Sequence, residues 1–112
     1  MYKAEGRHFI ATLYGVKDIK NLDKLRYIFE KSLQKSGANI CGKSEHTFSD
    51  FGFTCVWLLK ESHCSIHTYA EQGIIFVDFF SCGNSCNVKV FENLILCNLE
   101  MERSESRRIK RE

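Results

Sequence analysis

Residues 53–81 read FTCVWLLKESHCSIHTYAEQGIIFVDFFS, and the fold turns on how this run is divided. "FTCVWLLKE" and "GIIFVDFFS" are nearly continuous in apolar, β-branched and aromatic residues. Such runs suit strands covered on both faces, or on one face with a subunit interface on the other. Between them stands "ESHCSIHTYAE", Glu61–Glu71, rich in hydroxyls, imidazoles and carboxylates. If residues 62–69 run extended, Ser62, Cys64, Ile66 and Thr68 face one way and His63, Ser65, His67 and Tyr69 the other. Strict alternation therefore separates Ser62 from His67, and only a turn near 62–64 would join them.

Outward from this centre, "RHFIATLYGV" predicts a first strand ending at Gly15. Residues 21–37 predict a helix, with Asn21 as N-cap, Leu22, Leu25, Ile28, Phe29 and Leu33 on one face, and Gly37 as the stop. "ANICGK" predicts a short second strand. "SEHTFSDFG" predicts a polar connection turning near Asp50-Phe51-Gly52. "CNVKVFENLILCN" predicts a shorter helix with Phe91, Leu94 and Ile95 at helical spacing, and "RSESRRIKR" a polar edge strand. The order β-α-β-β-(β)-β-α-β argues for one α+β domain. We expect a two-layer α/β sandwich over 1–112, with helices on one face of a largely antiparallel sheet.

Composition excludes several classes. No apolar run reaches bilayer-spanning length, and "MYKAEGRHFIATLYG" lacks the apolar core and cleavage site of a signal peptide, so a cytoplasmic chain without membrane contact is expected. The six cysteines then read as free thiols; they form no CxxC pair. The net charge of +2 is mixed in sign throughout. Residues 100–112 hold five basic and four acidic side chains, unlike a nucleic-acid-binding tail.

Candidate chemistry concentrates near the central run. Ser62 beside His63 is commonly only a turn hydroxyl, and the missing GxSxG pattern argues against a serine hydrolase. Asp78 interrupts an apolar strand and needs a partner, a histidine or Arg7. Cys82 lies where that strand meets a glycine turn, and a lone cysteine there is usually inert. His63, His67, Glu71 and Cys82 could be imagined around a metal, but nothing in their spacing specifies one, and no metal is expected. Residue types alone give a polar site at strand ends with its reaction open.

"ESHCSIHTYAE" followed by "DFFSCG" resembles the signature of the small prokaryotic S-adenosylmethionine decarboxylases, approximately ESHxSIHTWPE and D-x-[FY]-[TS]-C-G. "GRHFIATLYG", "HTFSDFGFT" and the basic last strand extend the resemblance over nearly the whole chain. The resemblance implies a proenzyme that cuts itself between Glu61 and Ser62 into a β chain, 1–61, and an α chain, 62–112. Ser62 would become a pyruvoyl group, a self-made cofactor that forms a Schiff base with the substrate and releases CO2. It gives His67 the processing base, Thr54 a supporting hydroxyl where serine is commoner, and Cys82 the proton donor. Glu71 would hold the substrate ribose, with Phe48 and Tyr69 its aromatic contacts. It further implies a homodimer of cleaved protomers acting on S-adenosylmethionine to supply spermidine synthesis. Tyr69 and Ala70 stand where tryptophan and proline are usual. That departure motivates one alternative, a pyruvoyl-dependent ornithine or arginine decarboxylase; a separate, non-enzyme alternative is an uncleaved homologue acting as a binding or regulatory subunit.

Overall fold

The polar run at the centre of the sequence is also the centre of the sheet. In the computed structural model, which describes residues 4–112, Ser62–Tyr69 is a regular strand, β4, between β3 (Phe53–Leu59) and β5 (Ile74–Cys82). The remaining elements are β1 (Gly6–Tyr14), α1 (Leu22–Lys35), β2 (Ile40–Thr47), α2 (Val88–Asn98) and β6 (Arg103–Arg111). The six strands lie in the order β2-β3-β4-β5-β1-β6, every pairing antiparallel.

Alternation sorts each inner strand into two faces, and the registers align the covered face into rows. Leu13, Ile75, Thr68 and Phe53 form one row; Ala11, Val77, Ile66 and Cys55 the next; Phe9, Phe79, Cys64 and Trp57 the third. Both helices lie over these rows. α1 contributes Leu25, Ile28, Phe29 and Leu33, and α2 contributes Phe91 and Ile95. Phe29 stacks on Trp57 with centroids 6.0 Å apart, and Phe91 meets Phe79 edge-on at 4.8 Å. Each helix starts at an asparagine whose side chain accepts a backbone N–H at 3.1 Å: Asn21 from Lys24 and Asn87 from Val90. Such a cap contributes about 1 kcal/mol. α1 stops where expected, at Gly37, whose φ of 100° puts it in left-handed space. The result is the predicted α+β two-layer sandwich.

Two local expectations need correction. β2 runs on through "SEHT", which the sequence assigns to a loop. It is an edge strand exposed on both sides, so it lacks apolar alternation and is held by backbone pairing to β3. Glu45 there is anchored by Arg26 at 2.7 Å, which holds its carboxyl below the usual range. The second helix begins at Val88 rather than Cys86, and its Leu94 is only half-buried. Of the two arrangements expected for the apolar strands, the single chain has the one-faced cover: Leu58 is 59% and Phe76 44% exposed on the other face.

The core carries one avoidable defect. Thr68 is 2% exposed, among Leu13, Ile75 and Phe53, and its Oγ1 has no hydrogen-bond partner. Thr68→Val should raise stability by about 1 kcal/mol by removing an unpaired buried hydroxyl. Urea unfolding measures it, and a lower midpoint would mean that the hydroxyl has a partner.

Candidate active site

The site residues gather at the two ends of β4. At its start, a two-residue turn, Lys60-Glu61, links β3 to β4 and places the Glu61–Ser62 peptide beside the end of β5. The Cys82 thiol donates to the Glu61 carbonyl at 2.8 Å, and the Cys82 backbone N–H donates to Ser62 Oγ at 3.3 Å. The neighbouring glycine fixes Cys82 in this double contact. Gly83 leaves the strand with φ 51°, its N–H bonds Glu5 O at 2.9 Å, and its carbonyl accepts Arg7 Nε at 3.0 Å. A thiol on the carbonyl and an N–H on the hydroxyl is an arrangement that can polarise a peptide and orient an attacking oxygen. The family resemblance implies for Cys82 only a later proton transfer; its contact with Glu61 O depends on the β4–β5 register, which no motif displays.

Self-cleavage leads one to expect a buried, strained peptide here. Glu61 is instead exposed and Ser62 half-buried, and neither has a positive φ.

The other end of β4 holds the remaining candidates. Thr54 and His67 are register partners on β3 and β4, and Thr54 Oγ1 lies 2.7 Å from His67 Nδ1. That contact leaves Nε2 as the free ring nitrogen. Phe48 and Tyr69 flank the imidazole, with centroids 5.7 and 4.7 Å away. A cavity of about 390 Å³ opens here, lined by Phe48, Asp50, His67, Tyr69 and Glu71 among others. Glu71 sits in a short 3₁₀ turn, Ala70–Gln72, closed by Gly73 at φ 69°. A hydrogen bond with Asp50 and then that group's charge raise the Glu71 pKa, with Lys20 opposing. Asp50 and Phe51 both take left-handed φ, 59° and 63°, in the loop roofing the cavity. Sequence reasoning places a turn there but does not put Asp50 against Glu71.

One chain does not bring the two ends together. β4 is straight through 62–64, without the turn that would join Ser62 to His67. Five residues of extended chain separate them by about 17 Å, and their side chains belong to opposite faces. Between the ends, Asp78 finds its partner in His8 (Nε2 to Oδ1 2.5 Å) rather than Arg7. His63 stacks on Phe80 at 5.7 Å. His63 and Cys82 thus lie at one end and His67 and Glu71 at the other, and no three metal-binding side chains converge among the described residues.

Known proteins share both this sheet and its sequence. A family model described as S-adenosylmethionine decarboxylase matches residues 7–112. The chain belongs to that family. Among S-adenosylmethionine decarboxylase relatives, a proenzyme 2 of Bacillus cereus is 35% identical, over 98% of this chain and 91% of its own length. A proenzyme of Archaeoglobus fulgidus is 39% identical over 81% and 83%. The crystal structure of the adenosylmethionine decarboxylase from Aquifex aeolicus superposes with a TM-score of 0.83 at 28% identity, covering 96% of this chain and 91% of that one. The sheet that separates Ser62 from His67 is thus a decarboxylase scaffold.

Proposed function

We propose that the protein is a self-processing, pyruvoyl-dependent S-adenosylmethionine decarboxylase. The observation that carries this is the double contact of Cys82 on the Glu61–Ser62 peptide, thiol to carbonyl and N–H to hydroxyl. Ser62 Oγ attacks the Glu61 carbonyl carbon, whose developing oxyanion the Cys82 thiol receives. The amide becomes an ester, and loss of the Ser62 α-proton expels the Glu61 carboxylate by β-elimination, leaving chain 1–61 and a dehydroalanine at residue 62. The dehydroalanine takes up water and releases ammonia to leave chain 62–112 capped by the pyruvoyl group. Once formed, that group supplies an electron sink for loss of CO2 from the bound amino acid. Cys82, already at this end, then offers its proton to the product carbon.

His67, held by Thr54, serves as the processing base, and Glu71, Phe48 and Tyr69 hold the nucleoside. These stand about 17 Å along the strand from Ser62, so the reading requires two copies. The uncovered sheet face supplies the means, since it exposes Leu58 and Phe76 along with Cys82 and Tyr69. Two such faces related by a two-fold axis place the His67 end of one protomer over the Ser62 end of its partner. Each site is then built from both chains, in a homodimer. The six thiols, all free, fit a reducing cytoplasm. The product would supply aminopropyl groups for spermidine synthesis.

Intact mass under denaturing conditions tests the reading. We expect two fragments divided between Glu61 and Ser62, the second without a free amine and reactive toward a carbonyl reagent. One full-length chain after long incubation would overturn it in favour of an uncleaved binding homologue. The carboxylate pair Asp50–Glu71 beside Tyr69 and Ala70 also suits a basic amino acid. CO2 release from S-adenosylmethionine against ornithine and arginine decides the substrate.

A further inference from the structure

Ser81 is fully buried on the helix-covered face, and its Oγ has no hydrogen-bond partner. A buried hydroxyl left unpaired is destabilising, and Ser81 differs from Thr68, the other such hydroxyl, in standing beside the Glu61–Ser62 peptide. On one side Ser81 pairs with Arg7 of β1, while Ser62 pairs with Leu59 of β3. The β4–β5 ladder reaches His63↔Phe80, and one step further sets Ser62 opposite Ser81. The hydrogen bond from Cys82 N to Ser62 Oγ holds the strands together at that step. Directly opposed residues of an antiparallel pair project to the same face with Cβ atoms about 4.5–5.5 Å apart. A change of side-chain rotamer brings two such serine hydroxyls into contact.

We propose that Ser81 is a positioning residue for self-cleavage, its Oγ accepting the hydrogen bond of the Ser62 hydroxyl as Ser62 attacks Glu61. The inference rests on the self-cleavage reading and extends it to a residue that reading leaves unused. The Cys82 N–H occupies one lone pair of Ser62 Oγ, and the Cys82 thiol engages the Glu61 carbonyl. With Ser81 taking the hydroxyl hydrogen, the remaining lone pair is turned toward the carbonyl carbon. In the step itself the bond from Ser62 Oγ to Glu61 C forms and that from Glu61 C to Ser62 N breaks. The Ser62 hydroxyl proton ends on the departing nitrogen, and Ser81 keeps its own. No outside donor or oxidant is needed. His67 lies too far along β4 to orient this hydroxyl within the same chain, whereas Ser81 lies across one ladder step.

The test compares cleavage time courses of freshly synthesised wild-type, Ser81→Ala and Ser81→Thr full-length chains by intact mass. Ser81→Ala should slow cleavage about 100-fold, the scale of a misplaced reacting group, while Ser81→Thr, which keeps the hydroxyl, cuts near the wild-type rate. Melting temperatures are read in a Ser62→Ala background, where no chain is cut. There Ser81→Ala should melt at or above its parent, because it removes an unpaired hydroxyl. Slower cleavage with undiminished stability is the signature of positioning rather than packing. Wild-type cleavage with Ser81→Ala equally fast, or with Ser81→Thr as slow as Ser81→Ala, overturns the role of Ser81 and leaves the cleavage reading standing. A wild-type chain that never cuts sinks that reading and Ser81 with it.

Discussion

Ser62→Ala is expected to give one uncut chain of 13.0 kDa with decarboxylase activity at background. A methyl group cannot attack the Glu61 carbonyl, so no ester forms, no elimination follows and the electron sink is never made. The loss should be total rather than graded, because the proposed function makes this residue the precursor of the cofactor and not an aid to it. The fold should survive. Ser62 is half-buried at a hairpin turn, and the change removes one acceptor from Cys82 N–H, worth about 1 kcal/mol. A folded, uncut and inactive protein is therefore the expected result, read by circular dichroism, intact mass and CO2 release. A Ser62→Ala chain that cuts and turns over would remove the basis of the proposed function.

The second large effect separates the two ends of β4 between chains. Cys82→Ala disables the Ser62 end and Glu71→Ala the cavity end, so each homodimer should show little turnover. If every site takes its Ser62 end from one chain and its His67 end from the other, a mixed dimer holds one site with both defects and one with neither. Mixing equal amounts under conditions of subunit exchange makes half the dimers mixed, so activity should recover to about a quarter of wild type. Sites confined to single chains would give no recovery. Activity of the mixture, with dimer content followed by light scattering, distinguishes the two arrangements. Since about 17 Å of rigid strand lies between Ser62 and His67, no side-chain rearrangement within one chain can mimic the recovery.

How much of this was legible in the sequence depends on the physical origin of each signal. Apolar, β-branched and aromatic content predicts β1, β3 and β5, β4 follows only as the polar run between two of them, and the Asn21 cap and Gly37 mark α1 by local chemistry alone. The second half of β2, through Thr47, escapes the same reading because an edge strand exposed on both sides has no reason to alternate. Motif resemblance selects Ser62, His67, Cys82 and Glu71, yet conveys neither their separation along β4 nor their distribution over two faces of the sheet. Thr54 against His67 is a cross-strand contact fixed by the β3–β4 register, thirteen residues apart in sequence. Cys82 on Glu61 O and Asp50 against Glu71 likewise arise from chain segments that meet only after folding. Ser81 reads as an ordinary strand residue until its burial and missing partner are known.

The strand order also determines what survives a cut at Glu61–Ser62. The first fragment owns β1, α1, β2 and β3; the second owns β4, β5, α2 and β6. Across the sheet, β1 of the first is inserted between β5 and β6 of the second, while β3 lies against β4. The pieces are thus laced through one another like fingers, sharing three hydrogen-bonded seams and a single core. Parting them would require breaking the sheet between β3 and β4 and pulling a strand out from between two others. Severing the backbone at this hairpin alters connectivity while leaving the architecture whole, and the fragments should copurify until denaturant separates them.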